Sequence, residues 1–280
     1  MNETMKPLFD EDVARRYDGW FLSPAGRYVE QVENELILDL LRPRAGQSIL
    51  DVGCGTGNHL LLFHQMGLDV SGIDSSEPML RVARDKLGHR VDLRLGVAED
   101  LPYDDNSFDI VALISSLEFS LHPFRALSEA FRVARAQVFV AVLNRLSANG
   151  VQRKVEGLFR STLYRHARFY SIWEIRYMVR RVLGVCGVTW GSVIWLPLRF
   201  HGWDRALAGW VPRRRNPFGA FLGMRVDILY THQAVLNPLT ARWAGAEGAG
   251  ASPGALAAWD RAPEQAESRG RWGSREGSCP

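Results

Sequence analysis

Cysteine is scarce in this chain: Cys54, Cys186 and Cys279 are the only three in 280 residues, and they lie far apart. No pair has metal-ligating or redox spacing, so a disulfide framework and a cysteine-built metal site are excluded, and a reducing compartment suits the pattern. Long apolar runs are also missing. A bilayer-spanning helix needs about 20 consecutive apolar residues, whereas the apolar stretches here are of strand length, so no transmembrane segment is expected. Met1 to Asp12 is mixed polar and acidic, without the basic-then-apolar order of a secretory leader, and the expectation is a cytoplasmic protein. A dominant charge sign is the third absence. Lys+Arg 34 against Asp+Glu 31 leaves a net +3, too even a balance for the concentrated basic field of a nucleic-acid binder. Catalytic signatures are absent too: no Walker loop, nucleophile elbow, paired carboxylates or metal cluster gives hydrolysis or phosphoryl transfer residues to stand on. What remains is 46% hydrophobic and 23% charged, enough for one α/β domain with a sizeable core and additions.

The stretch that organises the rest is Ile49-Leu50-Asp51-Val52-Gly53-Cys54-Gly55-Thr56-Gly57-Asn58. An apolar run ends on a carboxylate and a turn with glycine at every second position, which permits dihedrals and close approaches that a Cβ would block. If 58–65 continues as a helix, its free N–H groups and positive dipole end favour an anion in that turn. A dinucleotide fingerprint, G-x-G-x-x-G/A, would need Gly or Ala at position 58. Position 58 is Asn, which disfavours a nicotinamide-linked dehydrogenase.

Strand and helix patterns then alternate: strand 47–52, helix 58–65, strand 69–73, helix 77–87, strand 91–96, strand 108–113, helix 123–133 and strand 137–143. Such alternation implies a doubly wound parallel sheet that binds ligands at the carboxyl ends of its strands. Residues 185–195 and 221–230 read as two further strands, for seven in all. Asp74, at the end of the second strand, lies about 20 residues beyond the glycines, where an acid suits the vicinal hydroxyls of a ribose. Ser75 or Ser76 can cap the helix after it, Pro78 fits its first turn, and Met79, Ala83 and Leu87 form its inner stripe.

The order Asp-x-Gly-x-Gly-x-Gly from Asp51, followed by Asp74 and by Gly96-Val97-Ala98-Glu99-Asp100-Leu101-Pro102-Tyr103-Asp104-Asp105-Asn106-Ser107-Phe108-Asp109, resembles class I S-adenosylmethionine-dependent methyltransferases, in their small-molecule, ubiquinone/menaquinone methyltransferase-like branch. The resemblance covers roughly residues 8–190. It implies an α/β, Rossmann-like sheet with its last strand antiparallel, and S-adenosyl-L-methionine as cofactor. It also implies a cofactor set of Tyr17, Asp51, Gly53, Cys54, Gly55, Gly57, Asp74, Ser75, Met79, Ala98, Glu99 and Ser115. Val97 departs from the family, many of whose members carry there an aspartate that reads the adenine amino group. The expectation is that Glu99, or else Asp100, supplies that acceptor while the Ala98 amide meets the ring.

Ile114 to Pro123 should lie over the methyl group. The Asn/Asp-Pro-Pro-Tyr signature of enzymes acting on exocyclic amines is absent, as is a Pro-Cys pair for attack on a pyrimidine. Glu118 and His122 are the candidate catalytic groups, able to orient a nucleophile or take its proton, with a structural role as the alternative for each.

Around this core, 1–43 reads as an N-terminal helical segment. Its Tyr17-Asp18-Gly19-Trp20-Phe21 forms either a lid or a packed staple, and a helix over 27–41 stops at Arg42-Pro43. The domain proper is 44–236, with insertions at about 144–170 and 195–220. Tyr164, His166 and Tyr170 are candidates for lining a substrate pocket, and Ser171 to Glu174 fits a capping box. The 195–220 stretch, with Arg213-Arg214-Arg215, reads as a lid, a dimer contact or a peripheral membrane patch. From about 237 the composition is too poor in aliphatic residues to offset ordering entropy, so a disordered tail is expected. The functional expectation is methyl transfer by in-line displacement to a small, partly apolar molecule; the alternative is a non-catalytic binding or scaffold protein on the same fold.

Overall fold

The computed structural model describes residues 9–147, 167–184, 186–197, 203 and 213–228. Among them lies a seven-stranded sheet of order β3-β2-β1-β4-β5-β7-β6. The strands are β1 Ser48–Val52, β2 Asp69–Asp74, β3 Asp92–Leu95, β4 Phe108–Ile114, β5 Ala134–Leu143, β6 Gly187–Val193 and β7 Phe221–Asp227. The first five pair in parallel, and β7 runs antiparallel to both of its neighbours, β5 and β6. This is the doubly wound, Rossmann-like arrangement with an antiparallel last strand that the sequence and the resemblance predict.

Helices cover both faces because successive strand residues point opposite ways and both sets are apolar. Leu50, Val52, Val111, Leu113, Val138, Val140 and Val142 join the core under α5 (Pro123–Val133) and α6 (Ile172–Leu183). The alternate residues Ile49, Ile110, Ala112, Ile114, Phe139 and Ala141 meet α2 (Pro24–Leu41) and α3 (Asn58–Gln65). Leu36, Ile37 and Leu40 make the buried stripe of α2, while Met79, Leu80, Ala83 and Leu87 line the inner side of α4 (Glu77–Leu87).

Two boundaries differ from expectation for local reasons. Helix α2 starts at Pro24 rather than near 27: Ser23 accepts from the Gly26 amide at 3.0 Å and Pro24 fits the first turn, a cap with no apolar stripe to announce it. It ends as predicted, with Arg42 left-handed at φ 50° before Pro43. Strand β5 starts at Ala134, directly after α5, because Arg135 pairs with Asp109 across an irregular register at the start of β4. Those polar residues hide the strand in the sequence.

The strand order reverses between β1 and β4, so their carboxyl ends bound a crevice where this kind of sheet accepts ligands. Helix α1 (Glu11–Phe21) is capped by Asp10, which accepts from the Val13 amide at 2.9 Å.

Candidate functional site

The crevice is built first from backbone. Gly53, Gly55 and Gly57 all take left-handed dihedrals, at φ 78°, 53° and 79°. The Gly53 and Cys54 amides donate to the Ile73 carbonyl at 2.7 and 3.1 Å, which turns the chain sharply off β1 toward β2. A methyl on Gly53 would lie 2.3 Å from Ser116 Cβ, so glycine here lets the turn after β4 close against the loop. A methyl on Gly55 would meet nothing within 4 Å, leaving bare main chain beside open space. Gly57 caps α3 with no side-chain hydrogen bond, so the first-turn amides of that helix keep their capacity for an acceptor.

Two acids stand beside this loop. Asp51 is 1% exposed and its Oδ1 has no hydrogen-bond partner. Burial, with the charge of Asp74 adding to it, pushes its carboxyl from an ordinary 3.8 up to about 8. Asp74 accepts from the Gly55 amide and the Ser76 amide, each at 2.8 Å, yet burial still raises its carboxyl against those stabilising bonds. Burial, with the Asp51 and Asp74 charges, holds the Cys54 thiol well above its usual range, and burial pushes the His59 imidazole down to about 4. Two further buried oxygens, Thr56 Oγ1 and Ser116 Oγ, have no partner either. Orphaned buried polar atoms are uncommon in folded proteins, and here they cluster where a Cβ would obstruct a ligand. A molecule carrying positive charge and hydrogen-bond donors fits this cradle.

Of the residues singled out in the sequence, Asp51, Gly53, Cys54, Gly55, Gly57, Asp74 and Ser75 meet at this loop. Met79 is buried in the first turn of α4, its amide held by Ser76 Oγ at 3.3 Å. Ser115, left-handed at φ 52°, donates its amide to the Ala141 carbonyl at the end of β4. Ala98 packs against the core below. Tyr17, on α1, is half-exposed, with its ring edge-on to Phe21 at 5.2 Å. Thr56 and Ser116 are the residues that sequence reasoning missed; the signal available was only a polar side chain inside each conformationally demanding loop.

The remaining acids behave differently. Glu99 accepts from Ser120 Oγ at 2.5 Å and from the His122 amide at 3.1 Å. Burial works to raise its carboxyl, but these bonds outweigh it and hold the group below the usual range. Glu118 is buried and accepts from the Leu143 amide at 2.5 Å, while its own carbonyl accepts from the Arg168 amide. Through its Oε1, Glu118 takes the structural role that the sequence leaves as its alternative. A buried carboxylate must find donors, and the amide at the end of β5 supplies one, so Glu118 braces the turn after β4. His122 is exposed, immediately ahead of α5. Tyr170, a candidate for lining a pocket, is 1% exposed in the core and joined to Asn144 by an isolated bridge. Tyr164 and His166 lie outside the described residues, as do most of 144–170 and 195–220 and the whole of 237–280.

Helix α1 is strapped to the same rim. Ser76 donates to the Phe9 carbonyl at 2.8 Å, and the Phe9 ring stands edge-on to Phe119 at 5.0 Å. Arg81 pairs with Glu11, and Lys86 bridges Asp18 on α1 to Asn58 at the start of α3. The basic triplet is partly neutralised, since Arg213 pairs with Glu35 at 2.7 Å and Arg214 with Asp39 at 2.9 Å, both on α2. Among the described residues no helix is long and apolar enough to cross a membrane.

Comparison with known proteins gives this geometry a context. A family model described as a methyltransferase domain matches residues 50–142. An uncharacterized methyltransferase of Mycobacterium tuberculosis is 42% identical over 98 residues, 35% of this chain and 40% of that protein. A demethylmenaquinone methyltransferase of Listeria monocytogenes is 31% identical over 143 residues, 48% of this chain and 60% of the other. The matched part of this chain therefore spans less than two thirds of either relative. A solved Thermotoga maritima structure, described as an S-adenosylmethionine-dependent methyltransferase and possible histamine N-methyltransferase, shares the fold. Its TM-score is 0.63 at 24% identity, over 79% of this chain and 97% of that one.

Proposed function

We propose that this chain, whose residues 50–142 match a methyltransferase domain, transfers the methyl group of S-adenosylmethionine to a small, partly apolar molecule. The observation that carries the reading is the pairing of an open, left-handed glycine loop with two buried acids, one of which has an oxygen lacking any partner.

The residues divide the work. Asp51 offers its orphaned oxygen to the positive methionyl end, which relieves the repulsion between two buried carboxylates. The loop amides and the first-turn amides of α3 donate to the methionyl carboxylate. Asp74, fixed by the Gly55 and Ser76 amides, receives the ribose hydroxyls through its remaining acceptor sites. Met79 and the Ala98 amide flank the adenine, with Glu99 Oε2 as acceptor for its amino group. Tyr17, Cys54, Ser75 and Ser115 line the rest of the cofactor surface. When bound, S-adenosylmethionine supplies a methyl already activated by its sulfonium, so in-line displacement asks the protein for alignment and exclusion of water.

Helix α1 within 1–43 acts as the lid that excludes water, latched by Lys86 and by the Ser76 contact to Phe9, over a catalytic domain of 44–236. His122, exposed beside the Glu99 brace, is the remaining candidate for taking the acceptor's proton. The reading is tested by incubating the full chain and S-adenosylmethionine with a panel of small partly apolar acceptors. Acceptor-dependent appearance of S-adenosylhomocysteine is the expected outcome.

A second reading has one observation in its favour: Val97, 48% exposed, is apolar where many family members carry an acid. A binding protein that retains the cofactor without turnover would take up S-adenosylmethionine yet release no product with any acceptor.

A further inference from the structure

Helix α6 is apolar on both sides, which its place in the fold does not require. Ile172, Ile175, Met178 and Val179 face the core, but Trp173 and Tyr177, one turn apart on the opposite side, are each 58% exposed. They do not stand alone. The Tyr177 ring meets Phe124 of α5 edge-on at 6.4 Å; Phe124 is 44% exposed, and Leu121, three residues before it, is 87% exposed. Adjoining this face are Arg125 on α5 and Arg176, Arg180 and Arg181 on α6. None of them is ion-paired with a carboxylate among the described residues, while the nearby Glu174 is committed to Arg145 and to the Ser171 cap. A contiguous apolar patch rimmed by unneutralised cations marks a contact surface.

The charge pattern along the chain says what it contacts. Residues 1–143 hold fourteen Lys+Arg against twenty-two Asp+Glu, whereas residues 144–228 hold fifteen against four. The modest overall charge therefore conceals a strongly basic part, and that part contains α6. An exposed Trp and Tyr beside arginines match the headgroup level of a bilayer, where amphipathic rings sit at the interface and guanidinium groups meet phosphates. Leu121, the most exposed of the four, is aliphatic and offers no ring for a base to stack on, which favours lipid over a single-stranded nucleic acid. The patch also has a purposeful location. Helix α5 follows the turn at the carboxyl end of β4, and α6 starts just after Tyr170 bridges Asn144 beyond the carboxyl end of β5, so both helix starts stand on the rim of the crevice.

We propose that Leu121, Phe124, Trp173 and Tyr177, with Arg125, Arg176, Arg180 and Arg181, dock the protein on an anionic membrane surface. The crevice mouth then faces the bilayer edge. The purpose of the docking rests on the methyl-transfer reading: a partly apolar acceptor dissolved in the membrane would enter from that side. The contact itself stands without it.

The test uses the full chain and sedimentation with vesicles of phosphatidylcholine alone or mixed with phosphatidylglycerol. Binding to the mixed vesicles is expected to weaken with added salt. Trp173→Ser with Tyr177→Ser should lower the partition about tenfold, and Arg180→Gln with Arg181→Gln about 25-fold, at about fivefold per removed charge near an anionic surface. All four positions are at the surface, so the variants fold. No sedimentation of the wild type with mixed vesicles, equal sedimentation of the variants, or preference for single-stranded RNA over vesicles at equal phosphate overturns the proposal. Titration of S-adenosylhomocysteine into the same samples separates the two ideas. Unchanged affinity in the variants is expected, and absence of binding in every chain with the vesicle response intact would sink the methyl-transfer reading alone.

Discussion

The two sides of the crevice treat their acids in opposite ways. On the β1–β2 side, Asp51 is buried with Asp74 half-buried beside it, both are pushed upward, and Asp51 keeps an oxygen without a partner. On the β4–β5 side, Glu99 is pulled downward by Ser120 and the His122 amide against its burial, and Glu118 holds the Leu143 amide. A carboxylate left short of donors is ready for a ligand, and one that holds backbone amides is also scaffold. Asp51 is the clearest site acid, whereas Glu118 and one oxygen of Glu99 brace the frame.

Substitutions break or sharpen that contrast. The largest effect belongs to Asp74→Ala, which removes the diol acceptor and frees the Gly55 amide from its fixed place. S-adenosylhomocysteine affinity measured by calorimetry should fall about 30- to 100-fold, as expected for loss of a charge-assisted contact worth about 2–3 kcal/mol. Glu99→Gln, on the opposite side, should lower the same affinity by no more than about tenfold, because Ser120 and His122 still find an acceptor while the adenine contact loses its charge. Next is Gly53→Ala, which combines a left-handed backbone with a methyl 2.3 Å from Ser116 Cβ. Chemical denaturation should register a loss of about 2–3 kcal/mol. Glu118→Ala leaves the Leu143 amide buried without an acceptor and should cost about 1–3 kcal/mol in the same assay.

A further expected effect is on pH dependence. An ordinary Asp releases its proton near 3.8, as it does in the unfolded chain, whereas folded Asp51 holds it up to about 8. Between those values the folded state binds more protons, so the stability linked to this group is complete below about pH 4 and declines as pH rises toward 8. Thermal melts across that window should fall less steeply for Asp51→Asn than for the wild type, with a slope difference of at most about 1.4 kcal/mol per pH unit. Parallel curves for the two chains would place Asp51 among the framing acids.

How much of this was legible in the sequence follows from how local each requirement is. The glycine loop, Asp74, the capping box at Ser171 and the doubly wound sheet could be read, because spacing and apolar runs dictate them, while the antiparallel last strand came from the family resemblance. The distinction between Asp51 and Glu118 could not. Asp51 stands at the end of an apolar strand and Glu118 follows one, and the structure alone shows that Glu118 holds the Leu143 amide. Thr56 and Ser116 were invisible for the same reason, since an orphaned hydroxyl is defined by neighbours it lacks. Tyr170 looked like a pocket aromatic within a polar stretch, but the bridge to Asn144 draws it into the core. Trp173 and Tyr177 fit the periodicity of an amphipathic helix, and their exposure emerged only once the opposite stripe was seen to be buried.

The most direct measurement is a calorimetric titration of S-adenosylmethionine into the full chain near pH 7, repeated in buffers of different ionisation enthalpy. A single site that releases up to about one proton on binding is expected, as the cationic ligand drives Asp51 to ionise, and the release should vanish in Asp51→Asn. No heat with S-adenosylmethionine, or binding whose proton count and affinity are indifferent to Asp51 and Asp74, would contradict the assignment of the glycine loop and its two acids as the cofactor site.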